Sequence, residues 1–402
     1  MAINVLADGR RMARRRQDRD RGPTRSGSAS VRCCLQRVLT NRPDAPMHIQ
    51  RPTFQRPEPP APNGAPTRLA ITLGDPNGIG PEVVLKSLHD PSLMPSMTPV
   101  LIGSAHVLRV HADVLGFSDL DIHIVDEVPE EVPHGDVAVL DVAEDPEPPV
   151  MFGSITAEGG RLAMRAVERA VEACQAGTVD AMVTAPISKD AVRQGGYDVP
   201  GHTEFLADKT NSPQPTMMMV AGGLRVGLVT SHTALSEVPS AVTEEAILEK
   251  LRVIDASLRD DFAIEQPKIA VFGLNPHAGE AGAFGQEEEE VIAPALRAAR
   301  QEGFRVEGPM AADGFFGTQL DADHDAALAM YHDQGLVPFK ALAFDHGVNY
   351  TAGLPIVRTS PDHGTAYGIA GKGMALPGSM RNAMELAVAI ARHRHQQATP
   401  AT

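Results

Sequence analysis

The chain has 402 residues, 43% hydrophobic and 22% charged, a balance typical of globular proteins that need more than one core. Its net charge of −15 is unevenly distributed: residues 1–70 hold 14 Arg and five acids, about +9, and the rest holds 22 basic and 46 acidic groups, about −24. A body this acidic argues against nucleic acid or anionic membranes as partners.

The amino-terminal segment, residues 1–67, is rich in Arg, Pro and Ser and lacks an apolar periodicity that could bury a core. We expect it to be a disordered extension. An Arg-rich tail could bind nucleic acid or act as a transit peptide, and neither role is favoured by the pattern.

The body lacks a stretch of about 18 uninterrupted apolar residues and a secretory signal pattern, so we expect a soluble, cytoplasmic protein. Of the three cysteines, Cys33 and Cys34 lie in the extension and Cys174 lies in a helical pattern. Neither a disulfide framework nor a thiolate metal site is available. Any metal must be bound by His, Asp or Glu.

From Leu69 onward, short apolar runs rich in β-formers alternate with helical patterns, which predicts an α/β fold with mostly parallel sheets covered by helices. Longer helices are expected at about 158–176, 243–259, 287–303 and 379–396. We expect two lobes with approximate boundaries: residues 68–195 plus 340–396 form the first, and 196–339 the second.

Three apolar runs each deliver a histidine within a few residues of the strand end: "LRVGLVTSH" ends at His232, "KIAVFGLNPH" at His277 and "AALAMYH" at His332. Ligands of open α/β sheets collect at the carboxyl ends of strands. Neutral imidazole binds zinc and related ions, and three histidines with an open position form a known catalytic arrangement. Spacing alone leaves hydrogen-bonded loop histidines as an equal interpretation.

The stretch "YHDQGLVPFK" follows the last of these strands, and we expect it to be a polar loop in which Gly335 lets the backbone turn. Further on, Lys340 and Arg358 supply cationic groups, with Asn349 between them. A point charge and a planar fork together suit a phosphate or carboxylate, although ion pairs with Asp345 and Asp362 would also explain them.

Glycine-rich turns occur in "GDPNGIGPE" and "AGKGMALPGS", but neither has the spacing of a dinucleotide or Walker fingerprint. The second precedes a helix and could hold a dinucleotide's phosphates. The acidic run "GQEEEEV" lies at a helix start, where it complements the dipole, and we do not expect it to be catalytic.

Taken together, several motifs resemble the PdxA family of 4-hydroxythreonine-4-phosphate dehydrogenases of vitamin B6 biosynthesis. The resemblance covers residues 69–396 and is carried by "TLGDPNGIGPE", "GHTEFLAD", "TSHTALSEV", "GLNPHAGEAG", "AMYHDQGLVPFK" and "GVNYTAGLPIVRTSPDHGTA". It implies two α/β lobes like those of isocitrate/isopropylmalate dehydrogenases, and a homodimer with the active site at the subunit interface. The implied reaction is NAD(P)-dependent oxidation of 4-phosphohydroxy-L-threonine, followed by loss of CO2.

The resemblance also implies roles for particular residues. The family's metal ligands fall on His232, His277 and His332. Its substrate-binding positions fall on His202, Thr203, Lys340, Asn349 and Arg358. None of these eight positions is substituted.

Several points stay open at the level of sequence. Asp333 could be the base that removes the hydroxyl proton or could orient a histidine ligand, with Lys340 as a further candidate base. The metal could be zinc, cobalt or magnesium, and the cofactor NAD or NADP. Alternative activities are a threonate or erythronate 4-phosphate dehydrogenase of the same fold, a metal-dependent phosphohydrolase, and a non-catalytic binding protein.

Overall fold

A single sheet of 12 strands runs through the computed structural model, which describes residues 66–90, 92–117, 120–129, 132, 136–199, 201–212, 214–318 and 324–398. These residues belong to the larger of two units into which contacts divide the chain, Pro52–Thr402. The disordered extension is predicted over residues 1–67, of which residues 1–65 lie outside the described residues. The first described strand begins at Thr67.

The strands in chain order are β1 Thr67–Thr72, β2 Met97–Gly103, β3 Ile122–Val125, β4 Val137–Asp141, β5 Ala181–Thr184, β6 Thr216–Ala221, β7 Leu224–Leu228, β8 Lys268–Phe272, β9 Arg305–Met310, β10 Ala326–Ala329, β11 Val348–Ala352 and β12 Arg358–Pro361. Their order in the sheet is β3-β4-β2-β1-β5-β12-β11-β6-β7-β10-β8-β9. The predicted α/β fold with a mostly parallel sheet is confirmed, since only the three pairings around β11 and β6 are antiparallel.

The helices are α1 Gly80–Leu88, α2 Ala105–Leu115, α3 Ala157–Gln175, α4 Lys189–Gln194, α5 His202–Lys209, α6 Val238–Ala241, α7 Glu244–Asp260, α8 Ala293–Gln301, α9 Ala312–Thr318, α10 His332–Ala343 and α11 Gly378–Ala398. A π-helical turn, Glu288–Ile292, precedes α8, and short 3₁₀ turns occur at Met94–Ser96, Pro276–Gly279 and Tyr367–Ile369. The four long helices expected from sequence are present. No helix within the described ranges is long and apolar enough to span a membrane.

The antiparallel strands divide the sheet into two parallel blocks. Because β11 is antiparallel to β12 and to β6, and β6 is antiparallel to β7, the block β7-β10-β8-β9 runs opposite to the block β3-β4-β2-β1-β5-β12. The edge of the sheet where β7, β8 and β10 end is therefore the edge where β12 begins. The division into two lobes stays a prediction.

The stretch "YHDQGLVPFK" is helical from His332 onward, so the prediction of a loop is wrong. Pro338 and Gly335 are both unfavourable inside a helix, and tertiary packing overrides that preference. A Cβ atom on Gly335 would lie 3.0 Å from the side chains of Leu228 and Val226. The glycine therefore lets α10 pack closely on the sheet, and the proposed turn at this residue does not exist.

Candidate active site

The three predicted metal ligands follow three adjacent strands of one parallel block. His232 follows β7, His332 follows β10 and His277 follows β8, and the sheet order places β10 between the other two. Since parallel neighbours end at the same edge, the topology brings all three loops to one edge of the sheet.

Two of these histidines lie close together, and the third stands apart. The ring centroids of His232 and His332 are 6.4 Å apart. The ring of His277 instead contacts Phe284, at 6.1 Å between centroids. Within the described part of the chain, the three do not form a group whose ligand atoms all lie within 4.8 Å of one another. The three imidazoles of one chain, in this arrangement, therefore do not surround a common ion, whose distance to each nitrogen would be about 2.0–2.1 Å.

The group that does meet that distance is Asp121, His123 and Asp136, at the start of β3 and β4. Nε2 of His123 lies 2.8 Å from a carboxylate oxygen of Asp136, and this hydrogen bond raises the pKa of His123. Asp121 and His123 are exposed. An ordinary ion pair on an edge strand explains this cluster.

The chemistry of the predicted ligands fits a divalent ion. Partial desolvation lowers the pKa of His232, and the positive charge of Lys189 adds to this effect, which favours the neutral imidazole that binds metal. Nδ1 of His332 lies 2.7 Å from a carboxylate oxygen of Asp333, which leaves Nε2 for a ligand. His232 and His332 also line a cavity of about 340 Å³ together with Asp333.

Hydrogen bonds tie the ends of the three strands to one another. The hydroxyl of Thr230, two residues before His232, donates to the carbonyl of Met330 at 2.8 Å. The side chain of Gln334 accepts from the N–H of Met330 at 2.7 Å and donates to the carbonyl of Gly273, at the end of β8, at 2.6 Å. Gln334 thus links the strand of His332 to the strand of His277. Sequence reasoning missed this role, although Gln334 lies two residues after a predicted ligand.

A second cluster surrounds Arg358, which opens β12 and is only 2% exposed. Its guanidinium donates to the hydroxyl of Thr184 at 2.7 and 3.1 Å and to that of Thr351 at 2.9 Å. Among the described residues no carboxylate is hydrogen-bonded to it. Burial lowers the pKa of Arg358 to about 10, so it stays charged at neutral pH.

Two other predicted substrate-binding residues have buried polar atoms without a hydrogen-bond partner in the described part of the chain: Nε2 of His202 and Oδ1 of Asn349. Burial, and then the positive charge of Arg358, lower the pKa of His202 well below its usual range. Thr203, in the first turn of the same helix as His202, is partly buried. Buried polar atoms of this kind normally find a partner, which a bound molecule could supply.

Lys340 is held by an ion pair. Its Nζ lies 2.8 Å from Oδ1 of Asp362 and 3.1 Å from the Asp362 carbonyl, so one of the two ion pairs considered from sequence is present. Burial raises the pKa of the Asp362 carboxyl, and Lys340 opposes that shift.

Comparison with known proteins identifies the class to which this fold and site belong. The family described as "Pyridoxal phosphate biosynthetic protein PdxA" matches residues 95–387. A 4-hydroxythreonine-4-phosphate dehydrogenase of Prosthecochloris aestuarii is 48% identical over 334 residues, 81% of this chain and 97% of the relative. The corresponding protein of Bacteroides thetaiotaomicron is 43% identical over 82% of this chain and 90% of its own length.

Solved structures agree. A crystal structure of 4-hydroxythreonine-4-phosphate dehydrogenase from Klebsiella pneumoniae superposes with a TM-score of 0.73 at 39% identity, covering 82% of this chain and 99% of that one. A terephthalate 1,2-cis-dihydrodiol dehydrogenase from Burkholderia xenovorans superposes with a TM-score of 0.55 at 29% identity, covering 80% and 98%. The class is therefore that of α/β dehydrogenases. Within that class, the chain belongs to the PdxA family of vitamin B6 biosynthesis.

Proposed function

We propose that this chain catalyses the NAD(P)-dependent oxidation of 4-phosphohydroxy-L-threonine to 2-amino-3-oxo-4-(phosphooxy)butanoate, which then loses CO2 to give 3-amino-2-oxopropyl phosphate. The family's relatives carry the name of this dehydrogenase. The observation in the chain itself that carries the proposal is the buried guanidinium of Arg358, which donates its hydrogen bonds to threonine hydroxyls. A buried cation of this kind is destabilising unless an anion joins it, and the proposed substrate carries a phosphate and a carboxylate.

The proposal assigns binding and orientation to five residues. Arg358 and Lys340 attract the anionic ends of the substrate, and His202, Thr203 and Asn349 provide hydrogen bonds at the same site. The neutral His202 can accept or donate a hydrogen bond, as its tautomer requires. Such fixed contacts hold the reacting carbon toward the nicotinamide ring, which accepts the hydride.

His232, His277 and His332 would hold the divalent ion, zinc, cobalt or magnesium. The ion supplies Lewis-acid chemistry, which favours both loss of the hydroxyl proton and decarboxylation of the β-keto acid. We propose that Asp333 orients His332, because its carboxylate bonds to Nδ1 of that ring. Lys340 remains the other candidate for proton transfer, with its Nζ fixed by Asp362.

We further propose a cytoplasmic homodimer with the active site at the subunit interface. Large apolar side chains are exposed near the histidines: Leu235 is 71% exposed, Val337 61% and Phe344 75%. Leu235 lines the cavity beside His232, Val337 lies on α10, which begins at His332, and Phe344 directly follows the end of that helix. Exposed apolar groups of this size suit a second copy of the chain. Sedimentation of wild type and Phe344→Glu tests this, and a monomeric wild type would contradict it.

The activity is tested by incubating the purified chain with 4-phosphohydroxy-L-threonine, NAD or NADP and added Zn²⁺, Co²⁺ or Mg²⁺, and following NAD(P)H absorbance. The expected result is NAD(P)H formation that depends on metal and is lost in Arg358→Met. Absence of NAD(P)H with every metal and both cofactors would contradict the proposal. Release of inorganic phosphate without NAD(P)H would indicate a phosphohydrolase.

The comparisons do not favour the alternative of a threonate or erythronate 4-phosphate dehydrogenase. Competition separates the two activities, because a site that recognises the amino group should prefer phosphohydroxythreonine over threonate 4-phosphate. Equal kcat/KM values for both substrates would contradict the narrower assignment.

A further inference from the structure

One member of the acidic run "GQEEEEV" is buried. Glu288 is 4% exposed, whereas Glu289 and Glu290 are exposed. Glu288 also opens the π-helical turn Glu288–Ile292, an irregularity often found at functional sites. A helix dipole attracts acids at any position of the first turn, so it does not explain why one of them is enclosed.

The Glu288 carboxylate binds the segment that leads to a predicted metal ligand. It accepts the backbone N–H of Asn275 at 2.7 Å and the side-chain amide of Asn275 at 3.0 Å. The same amide donates to Glu287 at 2.7 Å. Asn275 lies two residues before His277, and both its donors are thereby fixed.

The backbone after Asn275 is strained. His277, Ala278, Glu280 and Ala281 have φ values of 54°, 51°, 43° and 53°. Residues with a Cβ atom avoid this left-handed region, and a run of them persists only where surrounding groups enforce it.

The Glu288 carboxylate occupies the space against this left-handed turn. A Cβ atom on Gly279 would lie 2.5 Å from Oε2 of Glu288, and one on Gly273 would lie 3.0 Å from Oε1. The carboxylate therefore packs against glycines on both sides of His277. Among the described residues, the Glu288 carboxylate both accepts hydrogen bonds from Asn275, before His277, and packs on Gly279, after it.

We infer that Glu288 is a positioning residue that holds the turn from Asn275 to Gly282 in its left-handed form and so presents His277 as a ligand for the proposed metal ion. This inference rests on the proposed metal site. Loss of the Glu288 contacts leaves His277 in the sequence but lets its loop leave the left-handed form. The loop must then be ordered when the ion binds, so the affinity for the ion falls. The exposed Glu289 and Glu290 have no part in this effect, whereas Glu287 shares the side-chain amide of Asn275.

The test titrates Co²⁺ into the metal-free full chain and follows the d–d absorption of the bound ion. Glu288→Gln keeps the shape of the side chain, and Glu290→Gln makes the same chemical change at an exposed position two residues away. We expect Glu288→Gln to raise the Kd for Co²⁺ about 10–100-fold, the effect typical of groups that orient a ligand, and Glu290→Gln to leave it unchanged. At saturating Co²⁺ the kcat of Glu288→Gln should recover while KM stays that of wild type.

A second readout does not require metal or activity. Hydrogen exchange of residues 275–285 in the metal-free chain should be faster in Glu288→Gln than in wild type or Glu290→Gln. Asn275→Ala removes the same side-chain bond from the other partner and should weaken Co²⁺ binding in the same direction. It carries the test if Glu288→Gln does not fold.

The outcomes separate the inference from the proposal beneath it. If His277→Ala binds Co²⁺ as tightly as wild type, His277 is not a ligand and the proposed metal site fails. If His277→Ala binds weakly but Glu288→Gln and Asn275→Ala match wild type, the metal site stands and the role of Glu288 is overturned.

Discussion

The region around Arg358 and the region around the three histidines prepare for their ligands in opposite ways. Arg358 lies on a central strand, is buried, and is fixed by Thr184 and Thr351. The histidines leave strand ends, and His232 and His277 are exposed. Arg358 is fixed by neutral partners and has no hydrogen-bonded carboxylate among the described residues, whereas His232 and His277 are exposed in connecting segments that hydrogen bonds must order.

The two regions differ in the step that carries the unfavourable free energy. Burying a cation without an acid opposes folding, and the substrate's anion removes that penalty when it binds. Exposed histidines pay little desolvation penalty, but the segments that carry them must be ordered. Gln334 orders the strand ends, and Glu288 orders the turn beside His277. Substitution of Arg358 should therefore weaken binding without lowering stability, whereas substitution of Gln334, which orders the histidine region, should lower stability.

The largest effect is expected at Arg358. Arg358→Met should lower kcat/KM about 10²–10³-fold, because a buried partner of an anionic substrate is lost. Its lowered pKa means that the charge opposes folding at every pH below about 10, so the thermal unfolding midpoint should stay level or rise. Calorimetry and steady-state kinetics measure both. A large drop in the midpoint would instead indicate a structural role.

Removal of a metal ligand comes next. His232→Ala should weaken Zn²⁺ or Co²⁺ binding by more than about 100-fold, beyond the effect of residues that only orient a ligand. His106, a partly buried residue on α2, provides the control, since His106→Ala should bind the ion as wild type does. Calorimetric titration of metal-free protein measures both affinities. Equal affinity in the two variants would remove His232 from the site.

A smaller effect separates the two roles of Asp333. If it orients His332, Asp333→Asn keeps an oxygen that accepts from Nδ1–H and should lose less than about 10-fold in kcat, whereas Asp333→Ala should lose about 10–100-fold. A base cannot be replaced by an amide. Equal and severe losses in both variants, with normal metal binding, would assign proton removal to Asp333.

The smallest change is expected at Gln334. Gln334→Leu leaves the Met330 N–H and the Gly273 carbonyl without partners, and should lower the free energy of unfolding by about 1–3 kcal/mol. Gln301→Leu, at an exposed helix end, should change it little. Urea unfolding measures the difference. No loss in Gln334→Leu would mean that other contacts brace the strand ends.

Sequence patterns were informative where one element decides the outcome. The alternation from Leu69 predicted the α/β class, and the histidines at three strand ends were visible without coordinates. The helix at "HDQGLVPFK" was not predictable, because Gly335 and Pro338 argue against a helix and only packing on Val226 and Leu228 favours it. Strands β9 and β11 were also missed, since their stability comes from pairing with distant strands.

The sequence by itself therefore determined the fold class, the family and the residue types of the site, because these follow from local periodicity and short motifs. Only the tertiary structure decided which residues lie close to one another. The reversed direction of one block brings the start of β12 to the edge where β10 ends. Distances between segments far apart in the chain decide that Lys340 has an acid partner and that Glu288 is buried among exposed acids. They also decide that no carboxylate of the described residues is hydrogen-bonded to Arg358.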